Sequence, residues 1–264
     1  MGSIIAIANQ KGGVGKTTTA VNLSAALAAA DCRVLIVDCD PQANASSGLG
    51  FQQTESESFT LYEVLIEGLP YDTAKRETQI EQLDLLPSSR NLAGANLELV
   101  DLSDRELILW SRLADALAAY DFIFLDCPPA LDLLTLNALV AADSVLIPIQ
   151  CEYFALEGIS ALLDTIDRVR EFWNPDLMIE GVLLTMFDER TTLARQVASD
   201  LQEFFEGQVF DTVIPRNVRL AEAPSHGRSI IQYDLRSRGA ESYLGLAREF
   251  LFRRGQHPSH QAGP

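Results

Sequence analysis

The sequence predicts an α/β chain: a single domain built on a doubly wound, mostly parallel β-sheet flanked by helices. Three observations predict it. Short apolar runs alternate along the chain with longer stretches of helical spacing. The short runs are almost continuously apolar, as strands covered on both faces are, rather than alternating. And 264 residues with 47% hydrophobic side chains are enough to bury one large core and exclude wholesale disorder.

The strands expected in order are IIAIA (4–8), RVLIVD (33–38), LDLLP (83–87), DFIFLD (121–126), SVLIPI (144–149), IEGVLLTMF (179–187) and VFDTVI (209–214). Helical spacing covers Thr17–Ala30, Arg105–Ala119, Phe154–Phe172 and Thr192–Phe205. In the third, Leu156, Ile159, Leu163, Ile166 and Val169 form one stripe; in the fourth, Leu193, Val197, Leu201 and Phe205 do, with Gly207 as the stop. Strands alternating with helices imply right-handed βαβ units, with ligands at the C-terminal strand ends. The domain is expected over residues 1–254, with a polar surface loop at 51–60 and a disordered tail at 255–264, where His257 and His260 look incidental.

Composition narrows the function classes. No apolar run approaches the roughly 18 residues needed to span a bilayer, and the N-terminus lacks the pattern of a signal peptide, so a cytoplasmic protein is expected. The four cysteines, Cys32, Cys39, Cys127 and Cys151, have no metal-like spacing and read as small, semi-buried residues. A net charge of −17 argues against a general polyanion binder. The charge is uneven, however: residues 1–215 carry 12 basic against 33 acidic residues, and residues 216–264 carry 8 arginines against 4 acidic residues. Of only three lysines in the chain, two, Lys11 and Lys16, lie in the opening loop.

That loop, NQKGGVGKTTT (Asn9–Thr19), follows the first strand and opens the first helix. Glycines let backbone N–H groups converge on phosphate oxygens, and the helix offers its positive end. Gly12, Gly13, Val14, Gly15, Lys16, Thr17 and Thr18 form the cradle, with Lys16 on the β- and γ-phosphates and the Thr17 hydroxyl on Mg²⁺. The strict GxxxxGK[ST] pattern fails, since its first glycine falls at Gln10; Lys11 stands beside that position. Downstream, Asp38 and Asp40 follow the second strand and Asp126 ends DFIFLD. Aspartates there either orient a Mg²⁺ shell or cap the next helix.

The loop resembles the deviant Walker A motif of the ParA/MinD family of P-loop ATPases. VDCDPQANASSGLG, DFIFLDCPPALDLLTLNAL, IPIQCEYFALEG and IPRNVRLAEAPSHGRSIIQYDLRSRGAESY resemble its ParA/Soj chromosome-partitioning branch, so that the likeness runs from Ile4 to about Phe252. The resemblance implies a P-loop NTPase fold and slow hydrolysis of ATP to ADP. It implies that Lys11 crosses a homodimer interface to the partner's nucleotide, that Asp126 is the Walker B aspartate, that Asp40 aligns the attacking water, and that Asp38 supports the metal shell. It places Pro215 and Asn217, with Met186, at the adenine. Arg190 and Arg219 match positions that bind nonspecific double-stranded DNA; Arg195, Arg216, Arg228, Arg236, Arg238 and Arg248 are supporting candidates from charge. A ParB-type partner and association with the nucleoid are implied too. The C-terminus offers no amphipathic membrane helix of the MinD kind, the single Cys127 argues against the cluster-carrying relatives, and operator reading is not expected of a phosphate loop that starts ten residues in. A MinD-like positioning ATPase and a nucleotide-gated adaptor in replication control are the alternatives.

Overall fold

The computed structural model describes residues 2–51, 59–152 and 155–256. Its strands are β1 (Ser3–Ile7), β2 (Val34–Asp38), β3 (Arg76–Glu77), β4 (Leu83–Leu86), β5 (Phe122–Asp126), β6 (Ser144–Gln150) and β7 (Met178–Thr185). They form one sheet in the order β3-β4-β2-β5-β1-β6-β7, parallel throughout except for the antiparallel β3–β4 pair. Thus β1, which feeds the glycine-rich loop, is flanked by β5 and β6 and lies well inside the sheet.

The helices are α1 (Lys16–Ala28), α2 (Asn44–Gly48), α3 (Leu61–Ile66), α4 (Tyr71–Ala74), α5 (Leu92–Glu98), α6 (Ile108–Leu113) and α7 (Ala116–Ala119). After β5 come α8 (Leu133–Ala141), α9 (Ala155–Phe172), α10 (Thr192–Phe204), α11 (Val218–Glu222), α12 (Ile230–Tyr233) and α13 (Arg238–Gln256). Successive strand residues point to opposite faces, which is why the strands read as continuous apolar runs. Ile4, Ala6, Leu35, Val37, Ile123 and Leu125 join a core with residues of α3, α5, α6, α8, α9 and α10. Ile5, Ile7, Val34, Ile36 and Phe124 join a second core with Leu23 and Leu27 of α1 and Tyr243, Leu246 and Phe250 of α13.

Three expectations need correcting. VFDTVI is not a strand: it runs beside β7 but bridges it only at Val182–Val209 and Phe187–Pro215. The N–H groups of Asp211 and Thr212 instead donate to the Glu249 carboxylate at 2.8 Å each, lifting the middle of the segment off the ladder. The helix expected at 105–119 is cut into α6 and α7 and starts late. Asn137 of α8 accepts the Leu109 N–H (3.1 Å) and donates to the Arg105 carbonyl (2.8 Å), and so fixes that turn from outside. Gly255 and Gln256, expected in the tail, continue α13; residues 257–264, like 52–58 of the polar loop and Phe154, lie outside the described residues. The expected helices also omit α8 and α13: α8 is buried on nearly every side and shows no single apolar stripe, whereas α13 does carry one, Ala240, Tyr243, Leu246, Ala247 and Phe250, which the expectation missed.

α10 begins and ends as its sequence suggests. The Thr191 hydroxyl accepts the Ala194 N–H at 3.4 Å, and Gly207 follows at φ 82°.

Candidate functional site: a phosphate loop beside three aspartates

The loop between β1 and α1 is held from both sides. Asn9 accepts the Lys11 N–H (2.9 Å) and donates to the Pro148 carbonyl (2.8 Å), which ties the loop to β6. The Thr185 hydroxyl donates to the Val14 carbonyl (2.7 Å), which ties it to the end of β7. Gly13 (φ 75°) and Gly15 (φ 91°) take left-handed conformations that a side chain would strain. A Cβ on Gly12 or Gly13 would meet nothing within 4 Å, so the backbone there faces open space. α1 starts immediately after Gly15 with no side-chain cap among the described residues, leaving its first N–H groups to a ligand. Lys16 is only 7% exposed and its Nζ donates to the Lys11 carbonyl at 3.2 Å. Burial pushes its pKa down, while Asp126, Cys127 and Asp40 pull it back up.

Three aspartates, Asp38, Asp40 and Asp126, lie near one another at strand ends. Asp38 and Asp126 are register partners at the C-terminal ends of β2 and β5, and Asp126 is also level with Ile7, where β1 ends. Asp38 is tightly bound: it accepts from the Ser46 N–H (2.8 Å), the Ser46 hydroxyl (2.7 Å) and the Asp40 N–H (3.2 Å). Burial nevertheless raises its pKa to about 6, against the pull of the Ser46 bonds. Asp40 accepts the Gln42 N–H (2.9 Å) in a turn that Ala43 closes at φ 54°.

Asp126 is the exception in this site. It is fully buried, yet neither carboxylate oxygen has a hydrogen-bond partner among the described residues. Burial and then the Asp38 charge drive its pKa well above the carboxylate range, with the nearby Thr17 hydroxyl and Lys16 pulling the other way. Buried polar groups are rarely left unpaired, so this carboxylate suits the neighbourhood of a cation. Among the described residues no three His, Cys, Asp or Glu side chains form a ready-made metal cage. Magnesium takes one or two protein ligands and completes its shell with phosphates and waters. Thr17, Asp126 and the open Gly12–Gly13 backbone therefore fit a magnesium nucleotide.

Met186 (φ 48°) follows Thr185 directly; Phe187, next along, takes its N–H bond to Ile214 (3.0 Å) and bridges Pro215. Asn217 caps α11, its Oδ1 accepting the Arg219 N–H at 2.8 Å. The three adenine candidates are thus gathered at the C-terminal end of β7, beside the loop. Lys11 lies outside this group: its Nζ pairs with Glu152 at 2.6 Å on the surface.

All eight predicted arginines, Arg190, Arg195, Arg216, Arg219, Arg228, Arg236, Arg238 and Arg248, are exposed. The basic C-terminal charge is not all surface, however. Arg254 is buried in a two-point pair with Glu180 (2.6 and 3.0 Å) and lies over the rings of Phe122 and Phe250, and Arg253 covers Phe210. Cys39 and Cys127 are buried, and burial raises both thiols, so they behave as small core residues. The supports that sequence reasoning missed are Asn9, Ser46 and Thr185. Asn9 adjoins the loop and could have been suspected, whereas the partner of Thr185 is 171 residues away.

A parallel sheet with β1 feeding a two-lysine phosphate loop, and strand-end aspartates around it, defines a P-loop ATPase. A family model described as an AAA domain matches residues 2–179. The chain is 54% identical to the chromosome partitioning protein ParA of Myxococcus xanthus, over 96% of this chain and 89% of that protein. It is 56% identical to the sporulation initiation inhibitor protein Soj of Bacillus subtilis, over 94% and 98% of the two chains. Among solved structures, cobyrinic acid a,c-diamide synthase from Mycobacterium smegmatis with bound ADP and magnesium superposes with a TM-score of 0.84 at 36% identity, covering 97% of this chain and 96% of that one. The chain belongs to the ParA/Soj family of chromosome-partitioning ATPases. Among its described residues no helix is long and apolar enough to cross a membrane.

Proposed function

We propose that this ATPase uses nucleotide state to switch its grip on DNA. The observation that carries the reading is Asp126, a buried carboxylate with no partner at the end of the strand next to a phosphate loop. Mg²⁺, when bound with ATP, neutralises phosphate charge there. Lys16 and the N–H groups that open α1 hold the β- and γ-phosphates, the Thr17 hydroxyl would receive the cation directly with Asp126 and Asp38 orienting the shell behind it, and Asp40 aligns the attacking water. Asn217, Pro215 and Met186 flank the adenine.

Lys11 exchanges Glu152 for the phosphates of ATP in a second copy, so that two chains close on two nucleotides. The dimer brings two sets of exposed arginines to one stretch of double-stranded DNA, which multiplies phosphate contacts without reading sequence. Hydrolysis, stimulated by a ParB-type partner bound at a centromere-like site, returns ADP-bound monomers that leave the DNA. The protein works in the cytoplasm, on the nucleoid.

Retention on random-sequence duplex DNA with ATP, ADP or no nucleotide tests this. Retention is expected only with ATP, strengthened in Asp40→Ala and lost in Arg219→Glu. Equal retention in all three nucleotide states, or none in any, would overturn it.

A further inference from the structure

Two of the eight exposed arginines differ from the rest. Arg190 makes two parallel bonds to Asp188, Nε to Oδ1 at 2.8 Å and Nη2 to Oδ2 at 2.7 Å. Arg219 donates from Nη1 to Glu222 Oε2 at 2.8 Å, with its Nε 3.6 Å from Asp234 Oδ2. Glu222 is held in turn by the Tyr233 hydroxyl at 3.2 Å. The side chains of Arg195, Arg216, Arg228, Arg236, Arg238 and Arg248 have no ion-pair partner among the described residues. The two arginines expected to touch phosphate are therefore the two already engaged by carboxylates.

A carboxylate bound by two N–H groups occupies the same planar donor fork that a phosphate uses. It also cancels the charge that would attract one. We propose that Asp188 and Glu222, the latter with Asp234, mask Arg190 and Arg219 from DNA phosphates in the single chain and so keep its resting DNA affinity low. This inference rests on the DNA-binding reading above. The masks are exchangeable: the side chains of Arg190 and Arg219 are 86% and 54% exposed, and exposed ion pairs are weakly held. One chain offers phosphates two masked arginines; a dimer offers four on one body, and duplex DNA, with its dense phosphates, then competes successfully for them.

The test compares the full-length wild type with Asp188→Asn, Glu222→Gln and a control, Glu81→Gln. Retention on random-sequence duplex DNA is measured without nucleotide, with ADP and with ATP, across a salt series. Glu81 is exposed in the turn between β3 and β4 and forms no ion pair with either arginine, so Glu81→Gln removes the same charge without touching a mask. Gln at 222 keeps an acceptor for Tyr233. If the masks operate, each of the two test variants gains about one phosphate contact. The slope of log affinity against log salt steepens by about 0.9, and affinity without ATP rises roughly eightfold near 0.1 M salt. The control should leave the slope unchanged. If the wild type binds DNA with ATP but both variants match the control or bind more weakly, the carboxylates do not mask and the inference is wrong. If the wild type is not retained in any state, the DNA-binding reading itself has failed.

Discussion

Asp126→Asn separates the energetic cost of this site from its use. Both Asp126 oxygens are buried without partners, with the Asp38 carboxylate beside them. An unpaired buried polar group costs about 1–3 kcal/mol, more when charged. Asparagine keeps the shape and leaves a polar group unpaired as well, but it removes the charge, so it is spared only what ionisation adds, about 1.4 kcal/mol for each pH unit above the ordinary carboxylate value. Without Mg²⁺ and nucleotide, the variant should therefore be more stable than the wild type by about 1–3 kcal/mol at about pH 5–6. At roughly 2–4 °C per kcal/mol for a chain of this size, that is a Tm increase of about 2–12 °C. The sign of the pH dependence follows from the raised pKa. The folded wild type holds its Asp126 proton more tightly than the unfolded chain, so its stability falls as pH rises from the ordinary carboxylate value toward the raised one. The advantage of the variant should thus grow with pH over that window. Thermal melts monitored by circular dichroism, with and without Mg·ATP, measure both effects. Mg·ATP should stabilise the wild type and leave the variant nearly unmoved. A variant that melts below the wild type without Mg²⁺, or that gains as much from Mg·ATP, would refute the reasoning.

Three further outcomes are expected. Glu152→Gln frees Lys11 from an exposed pair worth about 0.2–1 kcal/mol in each chain, so ATP-dependent dimerisation, which releases two such pairs, should strengthen roughly 2- to 30-fold by analytical ultracentrifugation; weaker dimerisation would assign Glu152 to the dimer instead. Thr185→Val removes the bond to the Val14 carbonyl and leaves that acceptor unpaired, at about 1–3 kcal/mol; calorimetry should show ATP affinity falling by tenfold or more, with the fold retained. Arg254→Met strands the Glu180 carboxylate at a site where both side chains are 10% exposed; denaturant unfolding should register a loss of about 3–5 kcal/mol, much of it recovered by adding Glu180→Leu.

Much of this architecture is legible in the chain because its strands are apolar on both faces. The sequence runs at 33–38 and 121–126 match β2 and β5 within one residue, and the aspartates that end them become neighbours once those strands pair. The glycine-rich loop is legible for the same local reason: Gly13 and Gly15 mark the turns, and Lys16 opens the helix. Reading fails where a distant side chain decides the local outcome. Glu249 disrupts the expected strand at 209–214 from α13, and Asn137 delays the start of α6 from α8. The C-terminal arginine excess misleads for the same reason: Arg254 owes its place to Glu180, 74 residues earlier, and not to solvent.

Asn22, on α1, donates to the Thr18 carbonyl at 2.8 Å and accepts the Ile230 N–H at 2.7 Å. The first turn after the phosphate loop and the start of α12 are therefore fastened by one amide side chain across 208 residues of sequence. The Ile230 amide proton cannot exchange with solvent until that fastening opens. Nucleotide that stiffens the start of α1 should slow this exchange, so a single deuterium label in the arginine-bearing segment would register what happens at Thr17 and Thr18 on the other side of Asn22.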